Sequence, residues 1–546
     1  MSIYKISKYL FFKVRKLVRN ESYTELNQYL IDYKKRFGDI LGAPSKESSE
    51  KILLIYSNHN IAYCMNIEAI IAKKIQMEYG WKVVFLCTLS TIDLAKKICG
   101  EIYGFKHFDL IENYMPIWVS NISTIKTTIK QTINLKEIED LRYNNIPIGI
   151  HALATYSGTL PTANVGLNHE SRKRIWRLVT NSVRYCIASK KIIDKYSPNL
   201  VLSIEKGNVG TCELFYESIN QHISFIQYLG CHEPESIMLK RYNQMNLRMH
   251  PFSISDKSWK ETPYEKKMSE IVLNAFKLGY QKGDWFKYKN LSSDKQMIQK
   301  DELSKLLGLN QNKKNVIIFS HILNDANFFY GKDLFEGGFR EWFVKTVEVA
   351  SQNDQVNWLI KLHPANIFRR ANQGYTGEYG EILAIKEYLG EIPSNIKIIP
   401  ADIDINPYSF FMLADYGITV RGTVGAELPC FGIPVLTAGT GRYSGKGFTI
   451  DSNSKDEYLD KVKNIHLISP LNDEKIKLAV KHAYLFFKER PTSYKTFLND
   501  TYPKEVGRDL EIIDEKLWQN NILKNICDFF VVSNEEDFLS SKQFGV

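Results

Sequence analysis

The sequence predicts an α/β protein built on two parallel sheets, each of Rossmann type. Short runs of apolar and β-branched residues alternate with amphipathic stretches of helical length, which is the pattern of parallel β-α-β units. The alternation occurs twice, once after Lys51 and again after Lys314. A chain of 546 residues is also too long for a single hydrophobic core. We therefore expect two large domains with smaller additions at the ends of the chain.

Shifts in composition place the predicted domain boundaries. The stretch 38–50 is rich in glycine and serine and contains a proline, so we interpret it as a linker. Pro491 ends a helical pattern and opens the tail. The predicted units are an N-terminal segment of amphipathic helices and linker (1–48), a first Rossmann-like domain (49–285), a second Rossmann-like domain (286–488) and a C-terminal helical tail (489–546).

Composition and charge indicate an ordinary globular protein rather than a secreted or nucleic-acid-binding one. The net charge of +10 is modest for this length and favours anionic partners such as nucleotide phosphates or an acidic membrane surface. No nucleic-acid-binding motif occurs. The eight cysteines are scattered without a CxxC pair, which is typical of free thiols in a reducing cytosol. No apolar stretch is long enough to span a bilayer, so the sequence predicts a cytoplasmic protein.

Residues 1–20 carry a separate signal. Apolar residues recur there near helical spacing, and lysines and arginines are interspersed among them. A basic amphipathic helix of this kind can lie on the inner face of an anionic membrane. The alternative is a helix that docks on its own protein or on a partner, and the sequence favours the two about equally.

The first domain is predicted to begin with a strand and to continue as alternating helices and strands. Strands are expected at 51–56, 83–87, 200–204 and 224–229, and helices at 65–79, 92–98, 167–196, 210–220 and 264–278, with a further helix at 21–37 in the N-terminal segment. Residues 105–150 give no clear pattern. The strand ends in this domain present a set of polar side chains on one edge of the sheet: His59, Glu205, Lys206, His232 and Glu233.

The second domain repeats the pattern. Strands are expected at 315–319, 356–362, 396–399, 416–420 and 435–437, and helices at 301–307, 339–353, 409–413, 426–431, 456–464 and 474–488. A further helix is expected at 518–530, in the tail. Because the carboxyl ends of parallel strands share one edge of a sheet, the residues that follow each strand should form a ligand site there.

The stretch from 415 to 451 organises this second sheet. Its strand runs directly into Arg421-Gly422-Thr423-Val424-Gly425. The two glycines allow close approach of the backbone to a ligand, and the start of the following helix offers free N–H groups to an anion. A loop of this kind is common in α/β proteins and does not by itself indicate a nucleotide site. The motifs around it are needed to assign its function.

Several motifs in the second half of the chain resemble the bacterial capsule polysaccharide biosynthesis group. They are Lys361-Leu362-His363-Pro364, Pro407-Tyr408-Ser409, Thr419-Val420-Arg421-Gly422-Thr423-Val424-Gly425-Ala426-Glu427, Gly432-Ile433-Pro434-Val435, Tyr443 and Gly447-Phe448-Thr449. That group includes Kdo transferases of the GT-B fold, and its His-Pro motif also occurs in bacterial polysialyltransferases. The resemblance implies two facing Rossmann-like domains and glycosyl transfer from a nucleotide sugar. The chain departs from the group at Arg421-Gly422, where the group has Ser-Thr-Val-Gly after a small residue.

A nucleotide-sugar transferase must stabilise the charge of its phosphate leaving group. Without a metal ion, this requires backbone N–H groups and one or two cations. The predicted donor-binding residues are Ser320, His321, Lys361, His363, Pro364, Ser409, Arg421, Gly422, Thr423, Gly425, Glu427 and Tyr443. The pair Asp402 and Asp404 follows a strand, but it is more typical of a solvated turn than of a metal site. No metal or cofactor is therefore predicted, and the nucleotide sugar is a substrate.

Inverting transfer also needs a general base for the acceptor hydroxyl. Glu205 is the best candidate, because it ends a central strand of the opposite domain. His59 and His232 compete with it, although a histidine at such a position is more often structural.

Three functions remain open from the sequence. The first is a GT-B glycosyltransferase that adds a sugar, such as one linked to CMP, to a glycan or glycolipid acceptor of a capsule or lipopolysaccharide. The second is a polyol-phosphate transferase that uses a CDP-alcohol for a teichoic-acid-like polymer. The third is a non-catalytic nucleotide-binding subunit of a polysaccharide assembly complex.

Overall fold

The computed structural model describes residues 20–120, 122–283, 285, 295–367, 376–501 and 509–545. The basic helix predicted over residues 1–20 lies outside these ranges apart from its last residue. Within the described ranges, no helix is both long and apolar enough to cross a membrane.

The first sheet has seven strands. The strands are β1 (Ile52–Ser57), β2 (Lys82–Cys87), β3 (Phe108–Leu110), β4 (Leu200–Ser203), β5 (Ser224–Gly230), β6 (Ser236–Tyr242) and β12 (Thr492–Ser493). Their order in the sheet is β12-β6-β5-β4-β1-β2-β3. β1 to β5 are parallel to one another, and β6 is antiparallel to both of its neighbours, β5 and β12.

Helices cover both faces of this sheet. They are α1 (Asn20–Leu41), α2 (Ala62–Tyr79), α3 (Ile92–Ala95, continued as a π-helix over Lys96–Ile102), α4 (Ser123–Gln131), α5 (Leu135–Glu139), α6 (Ile148–Ser157), α7 (His169–Tyr196) and α8 (Cys212–Asn220). Alternate residues of β1 point to opposite faces. Leu53 and Ile55 therefore pack into one core, and Leu54 and Tyr56 pack into the other.

The second sheet has five strands in the order β11-β10-β7-β8-β9, and all of them are parallel. They are β7 (Asn315–Phe319), β8 (Asn357–Lys361), β9 (Ile396–Ile399), β10 (Tyr416–Thr419) and β11 (Val435–Thr437). The helices of this half and of the connection before it are α9 (Asp256–Glu261), α10 (Lys266–Gln281), α11 (Lys300–Leu306), α12 (Gly338–Ser351), α13 (Gly380–Leu389), α14 (Pro407–Leu413), α15 (Val424–Glu427, continued as a 3-10 turn over Leu428–Phe431), α16 (Lys455–Lys463) and α17 (Asp473–Tyr484, continued as a π-helix over Leu485–Glu489).

The carboxyl edges of the two sheets face each other. The loop after β7 crosses to the first domain, where Phe329 packs on the loop after β4. The contact is close, because a Cβ atom at Gly207 would lie 2.1 Å from the Phe329 ring. Two Rossmann-like domains that meet at their strand ends form the GT-B architecture, so the predicted fold class is confirmed.

The tail returns to the first domain. Strand β12 pairs with β6, and α18 (Asn521–Val531) packs against α2. A hairpin of β13 (Leu498–Thr501) and β14 (Asp509–Ile512) lies between them in the chain. Asp537 then anchors the end of the tail, because its carboxylate pairs with Lys240 at 2.7 Å and with Arg490 at 2.8 Å, and all three side chains are fully buried.

Two sequence interpretations need correction. The stretch 38–50, interpreted as a linker, is helical at its start, because α1 continues through Gly38 to Leu41. Strand β6 was not predicted, since Lys240 and Arg241 interrupt its apolar pattern. Both cations have partners inside the protein, so the strand is buried along its whole length.

Removal of the Asp537 carboxylate should destabilise the protein strongly. Asp537→Ala removes the buried carboxylate that both cations share and, within the described ranges, leaves Lys240 only the longer ion pair with Glu536 at 3.5 Å, so we expect the free energy of unfolding to fall by about 3–5 kcal/mol. Asp194→Ala is the matched control, because Asp194 and its partner Lys190 are both more than half exposed and such pairs contribute at most about 0.5 kcal/mol. Urea denaturation measures both free energies. Equal destabilisation by the two substitutions would contradict the role of Asp537 as a buried anchor.

The same ion cluster predicts a loss of stability in acid. Burial alone raises the pKa of the Asp537 carboxyl group, but the charges of Lys240 and Arg490 outweigh burial and hold the pKa below its ordinary range. A depressed pKa in the folded state stabilises the protein above the pKa of the unfolded state, about 3.9 for aspartate. This contribution should therefore disappear as the pH falls below that value, and it should be absent from Asp537→Ala.

Candidate functional site

His321 holds the loop that follows β10. Its Nε2 atom accepts the backbone N–H groups of Val420 at 3.3 Å and Arg421 at 3.2 Å, and it lies 3.2 Å from the Thr419 hydroxyl. The ring stacks on Phe339 at 4.4 Å. Burial lowers the pKa of His321 well below its usual value, and the charges of His363, Arg421 and Arg442 lower it further. The imidazole is therefore neutral and can act as the acceptor in this arrangement.

The His-Pro motif lies on the next strand of the sheet. The backbone N–H of His363 donates to Ser320 Oγ at 3.1 Å, and the Ser320 hydroxyl donates to Glu381 at 3.1 Å. His363 Nδ1 accepts the N–H of Ala365 at 3.2 Å, across Pro364. These bonds join the ends of β7 and β8, and they place His363 near His321.

Arg421 is almost completely buried beside this motif. Its Nε donates to the Thr440 carbonyl oxygen at 3.0 Å, and its Nη2 pairs with Asp333. Its guanidinium also lies over the Phe339 ring. Nη1 has no hydrogen-bond partner among the residues that the structure describes. One fork of the predicted phosphate-binding arginine is therefore occupied by the protein, and one donor is left.

Arg442 provides a second cation, next to the predicted donor-binding residue Tyr443. Its guanidinium lies over the Phe252 and Phe486 rings, and its Nη2 is 3.3 Å from His250 Nε2. Burial lowers the pKa of Arg442 to about 10, so the group stays charged at neutral pH. Within the described ranges its buried Nε has no partner. The charges of Arg421 and Arg442 act on each other, so the two guanidiniums form one cationic centre.

Glu427 lies at the other side of the loop. Its Oε1 accepts the Tyr280 hydroxyl at 2.6 Å, whereas its buried Oε2 has no partner in the described part of the chain. Burial raises the pKa of Glu427 to about 7. The site therefore contains one incompletely bonded acceptor in addition to the two donors.

The helix after the loop begins two residues earlier than the sequence predicts, and only its first turn is α-helical. It begins at Val424 and has a single α-turn before the 3-10 turn over Leu428–Phe431. A turn of this length contributes little macrodipole. The charge available to an anion therefore comes mainly from Arg421 and Arg442.

Tyr443 and the glycines of the loop have structural contacts. Tyr443 is fully buried and donates its hydroxyl to the Gly422 carbonyl oxygen at 3.0 Å. A Cβ atom at Gly425 would lie 2.1 Å from the Tyr443 ring. Thr423 is partly exposed, and its carbonyl oxygen accepts the N–H of Ala426 at 2.8 Å. Gly425 thus makes room for a tyrosine rather than for a ligand.

The structure places Lys361 and Ser409 away from this loop. Lys361 Nζ donates to the carbonyl oxygens of Pro400 at 3.0 Å and Leu362 at 3.3 Å, and burial lowers its pKa to about 7. Ser409 is fully buried, and its hydroxyl accepts the N–H of Ile298 at 2.9 Å. The polar groups of both side chains are therefore bonded to backbone groups away from the loop that follows β10.

Glu205 and His59 lie together on the first domain. Glu205 Oε1 accepts the N–H groups of Lys206 and Gly207, each at 2.8 Å, which fixes the carboxylate. Burial lowers the pKa of His59, and the charge of Glu205 opposes this effect. The two residues predicted as catalytic are therefore neighbours.

Tyr330 connects the two halves of the site. It comes from the loop after β7, and its ring lies 5.0 Å from Lys206 Nζ and 4.7 Å from the His250 ring. Burial raises the pKa of Tyr330, the charge of Glu205 raises it further, and the charge of Arg442 opposes both. Tyr330 is thus in electrostatic contact with Glu205 on one side and Arg442 on the other. No local sequence pattern reveals this, since the contact depends on how the domains meet.

His232 belongs to a hydrophobic core. It is buried among Trp285, Phe486 and Phe487, and its Nε2 lies 3.2 Å from the Phe487 carbonyl oxygen. Burial lowers the pKa of His232 to about 3. Its surroundings match the structural alternative rather than a catalytic base.

No known protein family and no curated protein matches this sequence. The solved structures that resemble it include two Kdo transferases of KpsC from Thermosulfurimonas dismutans. The β-Kdo 2,7 transferase is 13% identical over 62% of this chain and 89% of its own, with a TM-score of 0.33. The β-Kdo 2,4 transferase is 13% identical over 60% and 87%, with a TM-score of 0.31.

A further similar structure is a UDP-GlcNAc 2-epimerase from Neisseria meningitidis bound to UDP-GlcNAc. It is 12% identical over 80% of this chain and 98% of its own, with a TM-score of 0.23. Likenesses of this strength carry no argument about activity. The assignment of the fold rests on the order and direction of the strands in the two sheets.

The close contact at Gly425 gives a direct test of the site's packing. Gly425→Ala should displace the Tyr443 ring and destabilise the protein by about 1–3 kcal/mol, although alanine in a helix would otherwise stabilise it. The same substitution in a Tyr443→Ala background should cost much less, because the overlap is gone. Gly166→Ala is the control, since its nearest contact is at 4.0 Å. A stabilising effect of Gly425→Ala, measured by urea denaturation, would contradict the packing.

Proposed function

We propose that this protein is a GT-B glycosyltransferase that transfers a sugar from a nucleotide-sugar donor to a capsule or lipopolysaccharide-type glycan, without a metal ion. The observation that carries the proposal is the pair of buried guanidiniums of Arg421 and Arg442. In the described structure, each has one buried nitrogen atom without a hydrogen-bond partner, Nη1 of Arg421 and Nε of Arg442. An unsatisfied buried donor is costly unless a ligand completes its hydrogen bonds, so the pair favours an anionic ligand.

The position of the pair suits a departing phosphate. In glycosyl transfer the bond between the anomeric carbon and the phosphate oxygen breaks, and its electron pair stays on the phosphate. Arg421 Nη1 and Arg442 Nε would donate to the phosphate oxygens and stabilise this charge. His321 would keep the backbone of the loop in place, because it accepts the N–H groups of Val420 and Arg421.

Glu427 and His363 would bind the rest of the donor. The unpartnered Oε2 of Glu427 is an acceptor for a hydroxyl group of the nucleoside or the sugar. His363 lies on the adjacent strand end, close enough for its charge to lower the pKa of His321. Both residues fit the donor-binding role that the sequence motifs predict.

The first domain would supply the general base. Glu205 would take the proton from the acceptor hydroxyl as that oxygen attacks the anomeric carbon. Two backbone N–H groups hold its Oε1, which fixes the orientation of the carboxylate. His59 lies beside Glu205 and is the alternative base.

A nucleotide screen tests the donor site. Cytidine, uridine, guanosine and adenosine nucleotides are added in turn, and the accepted nucleotide should raise the melting temperature by mass action. Arg442→Lys keeps the charge but loses the planar fork of donors, so we expect the Kd of that nucleotide to rise by about tenfold or more. The control is Arg174→Lys, because Arg174 is exposed. No stabilisation by any nucleotide, or equal binding by Arg442→Lys, would contradict the donor site.

The role of Glu205 is tested by separating turnover from binding. Glu205→Gln keeps the size of the side chain but cannot accept a proton, so the rate of transfer from a panel of nucleotide sugars should fall by about 10²–10⁴-fold. The Kd of the nucleotide should change by less than about twofold, because Glu205 does not contact the donor phosphate in this proposal. Glu101→Gln, at an exposed glutamate, should leave both values unchanged. If Glu205→Gln keeps full activity while His59→Ala loses it, the base is His59.

A further inference from the structure

Three large apolar side chains are exposed on the first domain, in segments that are bonded to α7. They are Ile117, Trp118 and Ile133, which are 56%, 87% and 89% exposed. Tryptophan at this level of exposure is unusual, because it is highly buried on average in folded proteins.

The long helix α7 joins these side chains into one surface. Near its start, Arg172 donates to the carbonyl oxygens of Ile129 and Thr132, each at 2.7 Å, and so fixes the segment that ends at Ile133. Three turns further along, Arg184 donates to the Pro116 carbonyl oxygen at 2.8 Å and fixes the segment that contains Trp118. Twelve residues of helix separate these two arginines, a distance of about 18 Å. We call the strip formed by residues 114–120, residues 123–133 and the outer side of α7 the α7 face.

Positive charge dominates the α7 face. The exposed cations are Lys126, Lys130, Lys173, Arg174 and Arg177. Glu170 pairs with Arg174 at 3.2 Å, and Lys136, at the edge, pairs with Glu139 and Asp140. No carboxylate in the described ranges forms an ion pair with the other four cations. Lys126 instead lies over the Trp176 ring at 5.7 Å.

We propose that the α7 face docks on the surface of a bilayer that contains anionic lipids. Tryptophan and isoleucine side chains enter the boundary between headgroups and acyl chains, and surrounding lysines and arginines bind anionic headgroups. The exposed apolar side chains belong to two segments, one held by Arg184 and the other by Arg172, and three such side chains are fewer than the packed apolar centre of a protein interface contains. A bilayer can accept such side chains singly, which is why a lipid surface fits the α7 face better than a protein partner.

Lipid co-sedimentation of the full chain tests this proposal. Vesicles of phosphatidylcholine mixed with phosphatidylglycerol should bind the protein, and vesicles of phosphatidylcholine alone should bind it weakly. Trp118→Ala combined with Ile117→Ser should lower the partition coefficient by about threefold or more, and Lys126→Glu combined with Lys130→Glu by about tenfold or more. The matched controls are Leu467→Ala and Lys475→Glu, at exposed positions of the second domain. All these side chains are exposed, so an unchanged melting temperature should confirm folding.

A further variant distinguishes lipid binding through the α7 face from lipid binding through the basic segment at residues 1–20. Lys5, Lys8 and Lys13 are changed to glutamate in the full chain as an independent variant. If this variant alone abolishes binding and both α7-face variants bind like the unaltered protein, the proposal is overturned. Absence of binding to anionic vesicles by the unaltered protein overturns it as well. Neither result bears on nucleotide binding or sugar transfer, which are measured without lipid.

A second measurement reports the position of the bilayer directly. All eight native cysteines are buried, so a cysteine introduced by Ile133→Cys can be labelled selectively with an environment-sensitive fluorophore. Anionic vesicles should shift the emission of this label to shorter wavelength and leave a label at Leu467→Cys unchanged. A shift at both positions, or at neither, would contradict docking through the α7 face.

Discussion

The packing of Phe329 on Gly207 sets the relation between the two domains. Phe329 comes from the loop after β7, and Gly207 from the loop after β4. Any side chain at Gly207 would overlap the ring. The conformation of the Phe329 loop is strained, because Ala326 and Phe328 have φ angles of 49° and 72° and such a conformation costs of order 1–3 kcal/mol for each residue. The surrounding contacts maintain this strain, among them the bond from Arg248 to the Phe328 carbonyl oxygen at 2.7 Å.

The same loop positions Tyr330 between charged groups of both domains. It brings Tyr330 into electrostatic contact with Glu205 on the first domain and Arg442 on the second. Arg442, Arg421 and Glu427 are then enclosed with incomplete hydrogen bonds. Buried polar groups with incomplete hydrogen bonds reduce stability, which supports the proposal that a ligand supplies the missing bonds. Asp537 differs from these groups, because both of its cationic partners are in place and it anchors the tail.

The sequence predicted the two sheets well because their strands are apolar runs. β1, β7 and β10 lie within one or two residues of the predicted ranges, and the residues that follow β7, β8 and β10 meet at one edge as parallel strands require. Strand β6 was missed because its cations are satisfied by the distant tail. Lys361 and Ser409 were predicted to bind the donor because each belongs to one of the sequence motifs. In the structure, their polar atoms bond instead to backbone carbonyl and N–H groups. Tyr330 enters the site only through tertiary packing, which no local pattern encodes.

The proposed function requires that the guanidiniums of Arg421 and Arg442 complete their hydrogen bonds with a phosphate group. A crystal structure with the preferred nucleotide bound tests this most directly. We predict phosphate oxygens within about 3.2 Å of both Arg421 Nη1 and Arg442 Nε, in the crevice between the two sheets. A nucleotide bound elsewhere, with both donors still unpartnered, would contradict the proposed function.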